Sequence, residues 1–370
     1  MNTHTALPDW AYAYGGAYSQ GIIRRAPDDF IVNEIPSFEP SGKGEHAFVF
    51  IEKCSENTEY VARALARFAG VRQRDVSYAG LKDRHARTTQ WFSVWLPGKP
   101  DPDWTALNSD TIKVLQATRH SKKLRRGDLV GNRFNITLRS VKANQDALKQ
   151  KNTSTEELKL AIEENLQAIK KNGVPNYFGV QRFGNNGDNL NQAFNMFESG
   201  KRPRNKQKGS MYISAARSFL FNEMLAKRIQ LNCWDRPMDG EVFGFPGSQR
   251  GFSQEGTSEE LQRWRINRIH PTCALWGKNE SLAVKNLLDI EQAVADANPV
   301  FCEGLINKGL KQERRAARML VPDLFWMWQG DDLILRFSLA SGYFATSILT
   351  ELGDIQEAPR EYYAEREASE

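Results

Sequence analysis

A short polar loop between two strand-like runs constrains this chain more than any other feature. Residues 76–79 and 91–96 are rich in β-branched and aromatic side chains, which favours strands. Between them, Gly80 can adopt backbone angles that other residues avoid, so it suits a sharp exit from the first strand. The pattern predicts that Asp83 lies on a polar loop fixed by a rigid scaffold, a common position for a reactive side chain.

Asp83 itself admits two interpretations. It lies between Lys82 and Arg84, and a carboxylate between cations in a turn is usually a solvated ion-pair or turn residue. The same carboxylate, if held in place, could act as a general base or a nucleophile. The residues alone leave both interpretations open.

The size of the chain allows two domains. It has 370 residues, of which 40% are hydrophobic, and domains usually have roughly 100–200 residues. The four cysteines show neither a CxxC pair nor metal-ligand spacing, so we expect free thiols in a reducing cytoplasm, with no disulfide and no metal. They are Cys54, Cys233, Cys273 and Cys302. No apolar run approaches the roughly 20 residues that span a bilayer, and no secretory signal precedes residue 10. We therefore expect a cytoplasmic protein without membrane association.

Helix signals are clear at several places. Asn57 is a candidate cap for a helix that ends at Gly70, and residues 154–157 form a capping-box pattern. The helix that starts there should stop at Asn172 and Gly173. Apolar spacing predicts a further helix over residues 215–230.

The remaining segments are predicted from their composition. Residues 314–320 are expected to form a basic helix, and residues 333–337 a strand. Residues 232–258 are rich in Gly, Pro and Ser and are expected to form loops. The charged residues 354–370 are expected to be frayed.

Basic residues form four clusters although the net charge is only +5. Such clusters attract phosphates through counterion release, and scattered cations suit a structured RNA that is recognised by shape and backbone. A solvated protein face is the alternative for each single cluster. The clusters are residues 119–126, residues 201–208, the arginines 263, 265 and 268 around Trp264, and the arginines 314, 315 and 318.

Sequence blocks along nearly the whole chain resemble the TruD family of pseudouridine synthases. The most specific is the loop itself, Gly80-x-Lys82-Asp83-x-x-Ala86-x-Thr88-x-Gln90, which is similar to the family's signature loop with its catalytic aspartate. The other blocks occur in the family's order. They are residues 27–34 (PDDFIVNE), 42–46 (GKGEH), 131–134 (GNRF), 173–184 (GVPNYFGVQRFG), 214–218 (SAARS) and 344–347 (FATS).

The resemblance implies an α+β fold. Its pseudouridine-synthase core would be a mixed, mainly antiparallel sheet flanked by helices, with an inserted α/β TRUD domain. The match implies a discontinuous catalytic core at residues 1–172 and 306–370 and an inserted domain at residues 173–305. The change in composition near Gly173 is compatible with that division.

The resemblance also implies a reaction and a substrate. The protein would isomerise a uridine of tRNA, uridine 13 in the D-arm, without any cofactor or metal. The chain agrees in having no GxxxxGK[ST], GxGxxG or HExxH pattern. We expect tRNA as the partner, no obligate protein partner, and a monomer. An RNA-binding chaperone without turnover is the alternative function, whereas a nucleobase deaminase is excluded because His-x-Glu and Pro-Cys-x-x-Cys are absent.

Residue roles follow from the resemblance as well. Asp83 would act on the nucleotide, Phe134 would stack on the extruded base, and Asn132 would lie near it. A core position is the alternative for Phe134, because it alternates with apolar residues along a strand. Arg24 and Lys82 are the candidate cations beside Asp83. Arg182 is expected to contact RNA, whereas the neighbouring Phe178 and Phe183 are expected to pack internally.

One block departs from the family's pattern. Residues 339–343 read Leu-Ala-Ser-Gly-Tyr, where the family often has Leu-Pro-x-Gly-Ser. Loss of the proline loosens that turn, and Tyr343 is bulkier than serine.

Overall fold

The chain forms two compact units in a computed structural model. The structure describes residues 7–144, 153–201, 203–248, 250–253 and 256–359. The sheet unit takes in the described parts of Tyr18–Ala161, Val321–Gly342 and Gly353–Glu370. The helical unit takes in the described parts of Met1–Ala17, Ile162–Leu320 and Tyr343–Leu352.

The strands and helices are numbered in chain order. The strands are β1 (Ser19–Ile23), β2 (Phe30–Pro36), β3 (His46–Cys54), β4 (Val76–Tyr78), β5 (Arg87–Trp95), β6 (Ile112–His120), β7 (Leu129–Ala143), β8 (Val174–Pro175), β9 (Val242–Gly244), β10 (Gly251–Ser253), β11 (His270–Leu275), β12 (Glu313–Ala316), β13 (Arg318–Met319), β14 (Phe325–Gln329), β15 (Asp332–Ala340) and β16 (Asp354–Glu357). The helices are α1 (Thr58–Phe68), α2 (Thr155–Asn172), α3 (Asp188–Ser199), α4 (Lys206–Gln230), α5 (Ser258–Arg265), α6 (Lys285–Ala297), α7 (Pro299–Asn307) and α8 (Thr346–Thr350).

One mixed sheet of ten strands dominates the sheet unit. Its main path runs β14-β15-β7-β2-β5-β3-β6, with β4 paired to β5 and β1 paired to both β7 and β16. The pairs β2·β5 and β1·β16 are parallel, and the other pairs are antiparallel. The predicted α+β fold with a mainly antiparallel sheet is therefore confirmed.

Helix α1 covers one face of this sheet because its apolar residues recur at helical spacing. Val61 and Leu65 are buried against Val49 of β3 and Phe92 of β5. Asn57 occupies the N-cap position, as predicted, but its side chain makes no capping hydrogen bond. The opposite face of these strands is covered differently, by an aromatic cluster that includes Phe48 and Trp91.

Helix α2 begins and ends where the sequence predicts. The Glu157 amide donates to Ser154 Oγ, and the Ser154 amide donates to Glu157 Oε2, which is the capping box. The helix ends at Asn172, and Gly173 follows with φ of +83°. A Cβ at Gly173 would lie 2.4 Å from the Met319 carbonyl oxygen, so glycine is required there.

The helical unit is built around α4, most of which is buried. Its strands form a four-stranded sheet in the order β10-β9-β11-β12 and a two-stranded pair, β13-β8. Two of these short strands, β9 and β10, lie inside the 232–258 segment that was expected to consist of loops. Helix α4 begins nine residues before the predicted start at residue 215.

The predicted helix over residues 314–320 is wrong. This segment forms β12 and β13, in which Arg314 and Arg318 are buried. Arg314 is ion-paired to Glu291, and Arg318 Nε donates to His270 Nδ1. Arginine favours helices in isolation, but these buried polar contacts outweigh that weak preference. The fourth basic cluster is therefore neither helical nor a solvated surface.

Other predictions have mixed outcomes. Strand β15 confirms the strand predicted at residues 333–337, and β16 shows that the expected fraying does not begin at residue 354. Residues 360–370 lie outside the described residues. All four cysteines are free thiols. The inserted domain at residues 173–305 stays a prediction. The helical unit is defined by which residues pack together, so its bounds do not test where a domain was inserted into the chain.

No helix among the described residues is both long enough and apolar enough to cross a membrane.

Candidate active site

Asp83 lies on the loop that joins β4 to β5 in the sheet unit, and 46% of its side chain is exposed. The side-chain Nε2 of Gln90 donates to the Gly80 carbonyl at 3.1 Å, and the Lys82 backbone amide donates to Thr58 Oγ1 at 3.0 Å. Thr58 in turn donates to Gln90 Oε1 at 3.0 Å. The start of the loop is thus held by two buried polar side chains, one from α1 and one from β5.

The role expected for Gly80 is wrong. Gly80 has no positive φ, and a Cβ placed on it would find only the Lys82 ammonium, 3.9 Å away. The turn is held by the hydrogen bonds of its neighbours, so the freedom of a glycine backbone is not what shapes it.

Arg24 forms an ion pair with the Asp83 carboxylate. Its Nη2 lies 2.8 Å from Asp83 Oδ2, and its Nη1 is paired with Glu357. Only 5% of Arg24 is exposed, and its guanidinium lies 4.1 Å from the centre of the Phe30 ring. Arg24 follows β1 with φ of +57°, a left-handed conformation that costs energy for a non-glycine residue.

Lys82 contacts a different carboxylate. Its ammonium lies 2.9 Å from Glu34 Oε2, and both side chains are buried, with exposed fractions of 4% and 0%. The other oxygen of Glu34 accepts the Trp91 amide at 3.2 Å. Among the ion pairs of the described residues, none joins Lys82 to Asp83. Lys82 therefore ties the loop to β2.

The strand register places Phe134 and Asn132 on the same side of the sheet as this ion pair. Asn132 lies directly opposite Glu34, and Phe134 lies directly opposite Val32, two residues away along β2. Side chains of directly opposed residues, and of residues two apart in a strand, point to the same face. The Asp83 loop, bound to Glu34, is thus on the face that carries both residues.

Phe134 is packed among other aromatic rings. It is 8% exposed, stacks on Phe337 with ring centres 5.3 Å apart, and meets Phe30 edge-on at 6.3 Å. Because Phe30 also contacts the Arg24 guanidinium, Phe30 links the predicted stacking residue to the ion pair of Asp83. Phe134 is at once a core residue and a neighbour of the candidate site.

Asn132 presents an unused hydrogen-bond acceptor. Its buried Oδ1 has no hydrogen-bond partner among the described residues, which is uncommon for a buried polar atom. Gly131 precedes it and is required sterically, since a Cβ there would lie 2.0 Å from the Leu339 carbonyl oxygen.

Sequence reasoning missed Lys53, Glu34 and the Thr58–Gln90 pair. Lys53 is 1% exposed, and its ammonium donates to the carbonyl oxygens of Asp83 at 2.8 Å and Glu56 at 2.7 Å. Burial lowers the pKa of Lys53 to about 8, although Asp83 acts in the opposite direction. The available signal was the presence of Lys53 and Glu34 in strands whose other residues are largely apolar.

Arg182 belongs to the helical unit. Its Nη1 donates to Ser214 Oγ at 3.0 Å, and its guanidinium lies 5.3 Å from the Phe178 ring centre and 5.9 Å from that of Phe344. Burial lowers the pKa of Arg182. Phe183, as expected for a packing residue, is fully buried in the core of that unit.

Exposed cations of the sheet unit lie on α1 and in the loop after β6. Arg63 and Arg67 are exposed on α1, one helical turn apart. In the loop after β6, the Lys123 ammonium donates to the Arg74 carbonyl. The remaining exposed cations of that loop are Lys122, Arg125 and Arg126. Arg119 is instead structural, because it pairs with Asp101 and donates to the carbonyls of Leu96 and Lys99.

The described residues contain no group of three or more His, Cys, Asp or Glu that could hold a metal ion. The groups gathered at the site are the half-exposed Asp83 carboxylate, the buried Arg24 guanidinium, the Phe134 ring and the Asn132 side-chain oxygen.

The fold is shared with a solved structure titled putative tRNA pseudouridine synthase D (TruD) from Methanosarcina mazei. The TM-score is 0.71 at 22% sequence identity, and the match covers 95% of this chain and 97% of that chain. This likeness shows that the two chains share a fold.

The sequence comparisons give the family. The family model TruD, tRNA pseudouridine synthase D, matches residues 10–193 and 195–352. A tRNA pseudouridine synthase D of Methylococcus capsulatus is 46% identical over 358 residues, covering 95% of this chain and 97% of that protein. A protein of the same name from Nitrosococcus oceani is 45% identical and covers 94% of each chain. The chain belongs to the TruD family.

Proposed function

We propose that this protein converts a uridine of tRNA to pseudouridine, that the uridine is number 13 in the D-arm, and that Asp83 is the acting carboxylate. The reaction breaks the bond between ribose C1′ and uracil N1, joins C1′ to C5, and moves the C5 proton to N1 by way of solvent. The observation that carries the proposal is the half-exposed Asp83 carboxylate, held 2.8 Å from a buried arginine in a chain of this family.

The surrounding residues suit an extruded uridine. Phe134 would stack on the base, an interaction worth roughly 1–3 kcal/mol. Asn132 Oδ1, which has no partner among the described residues, would accept the uracil N3–H. Arg24 would hold Asp83 in orientation, Lys82 would fix the loop through Glu34, and Arg182 would contact RNA from the helical unit. We propose no cofactor, because the isomerisation neither gains nor loses electrons.

The exposed cations of α1 and of the loop after β6 would bind the RNA backbone. Phosphate contacts position a nucleic acid and are largely independent of sequence, which suits exposed cations such as Arg63 and Arg67. We further propose that the protein acts as a cytoplasmic monomer, and that residues 173–305 form an inserted TRUD domain.

Carbodiimide mapping of pseudouridine in unmodified tRNA tests the function. Wild-type protein and Asp83→Asn are compared, because the substitution keeps the side chain's shape and removes its charge. We expect product at one D-arm uridine from wild type only, with equal tRNA binding by both proteins. Tight binding without product from wild type would instead support an RNA chaperone, and equal product from both would remove Asp83 from the chemistry.

A further inference from the structure

Lys53 is a buried ammonium that the proposed chemistry does not use. It lies on β3, is 1% exposed, and is directly opposite Thr88 in the sheet register. Burying a charge is costly unless it is paired and hydrogen-bonded. Within the described residues, Lys53 forms no ion pair with a carboxylate, so its charge is compensated by hydrogen bonds.

Its ammonium donates hydrogen bonds to two main-chain carbonyls. One is the carbonyl of Asp83 itself, and the other is that of Glu56, just before α1. The Asp83 carbonyl and carboxylate share one Cα, so fixing the first restricts where the second can point. Arg24 holds the carboxylate from the other end, at 2.8 Å.

We propose that Lys53 is a positioning residue of the reaction: by clamping the Asp83 carbonyl it aims the Asp83 carboxylate at the nucleotide. This inference rests on the proposed function. Lys53 acts through Asp83 and does not touch the substrate. Holding a reacting group in its productive geometry raises the rate of the chemical step, and misplacement by about 1 Å can cost roughly 100-fold.

The clamp implies a dependence on pH. The groups that act on the Lys53 ammonium are Asp83 and Glu56, which favour its charge, and Lys82, which disfavours it, with a smaller contribution from Cys54. Because burial lowers the pKa of Lys53 to about 8, the lysine loses its charge as the pH rises through that value. Charge-assisted hydrogen bonds are stronger than neutral ones, so the clamp weakens above that pH.

Single-turnover kinetics on unmodified tRNA provide the test, with Lys53→Met, Lys53→Arg and the control Lys113→Met. Lys113 is exposed on the neighbouring strand, opposite Glu52. We expect Lys53→Met to lower the rate of the chemical step by roughly 100-fold with tRNA affinity unchanged, and Lys113→Met to change neither. The wild-type rate should fall above about pH 8, and Lys53→Arg should keep activity to higher pH.

Hydrogen exchange of the amides in residues 80–86 supplies a readout without catalysis. We expect faster exchange there in Lys53→Met, with other regions unchanged. A wild-type rate retained in Lys53→Met, or unchanged exchange in the loop, would overturn the clamp. If wild-type protein makes no pseudouridine at all, the proposed function fails, and loop exchange alone then decides whether Lys53 positions Asp83.

Discussion

Arg24 Nη2 lies 2.8 Å from Asp83 Oδ2, although the two residues are 59 positions apart in the sequence. The arginine is buried and the aspartate is half-exposed, so the carboxylate faces solvent with a fixed cation behind it. Arg24 follows β1 and has a left-handed backbone, with φ of +57°. Residues held in sparsely populated backbone conformations cluster at active sites.

Replacing Arg24 with asparagine should slow the reaction. Asparagine tolerates the left-handed conformation, so the fold is kept while the guanidinium is lost. We expect the rate constant of the chemical step to fall by roughly 100- to 1,000-fold, comparable to the removal of a fixed electrostatic donor. As a control, Glu357→Gln alters a second ion-pair partner of Arg24. Glu357 is more than half-exposed, so this change should alter the rate by less than about fivefold.

The Glu34–Lys82 pair should be strongly coupled in stability. Glu34→Gln leaves a buried ammonium without its carboxylate, and we expect the free energy of unfolding to fall by roughly 3–5 kcal/mol. The double variant Glu34→Gln/Lys82→Met removes both charges and should lose less than Glu34→Gln alone. Urea unfolding of the two single variants and the double variant measures this. Purely additive losses would show that the pair is not coupled.

Phe134 and Phe337 form a matched pair for separating packing from catalysis. They stack on each other and are both buried, so Phe134→Leu and Phe337→Leu should each cost roughly 1–3 kcal/mol of stability. Only Phe134→Leu should also slow pseudouridine formation, by roughly 10- to 100-fold, because it removes the ring that we propose to stack on the base. Equal rate losses in the two variants would show that Phe134 affects the rate only through packing.

Protonation of His270 should destabilise the protein in acid. Burial, followed by the charge of Arg318, lowers the pKa of His270 to about 4 from its usual 6.5. The unfolded chain therefore binds a proton between these values that the folded chain does not, and stability falls as the pH decreases from 6.5 to 4. The loss should reach about 3 kcal/mol. Urea midpoints of wild type and His270→Gln across this range should show a steeper decline for wild type, and parallel curves would contradict the prediction.

Arg63 and Arg67 on α1 should contribute to RNA affinity through salt-sensitive binding of phosphates. We expect Arg63→Glu/Arg67→Glu to weaken tRNA binding, and to reduce the slope of log K against log salt by roughly 0.7–0.9 for each phosphate that these arginines neutralise in the wild-type complex. A control pair of exposed lysines on strands, Lys113→Glu/Lys142→Glu, matches the change in net charge. Equal effects from both pairs would indicate a long-range effect of net charge and not phosphate contacts made by Arg63 and Arg67.

Local patterns predicted the elements whose causes are local. The capping box of Ser154 and Glu157, the stop at Gly173 and the strands flanking the Asp83 loop depend on neighbouring residues, and the structure contains all of them. The resemblance to the TruD family is confirmed along most of the chain. The helix predicted at residues 314–320 was wrong because a basic, breaker-free pattern carries no information about burial.

By itself, the sequence determined the family and the loop that carries Asp83, because motif content and motif order are properties of the chain. The mainly antiparallel sheet was implied only by the resemblance to the family. Tertiary structure alone decided which cation meets Asp83, which carboxylate takes Lys82, and that Lys53 clamps the Asp83 carbonyl. These contacts join residues 30 to 59 positions apart. The chain has many cations of similar chemistry, and strand pairing and burial determine which of them reach these partners.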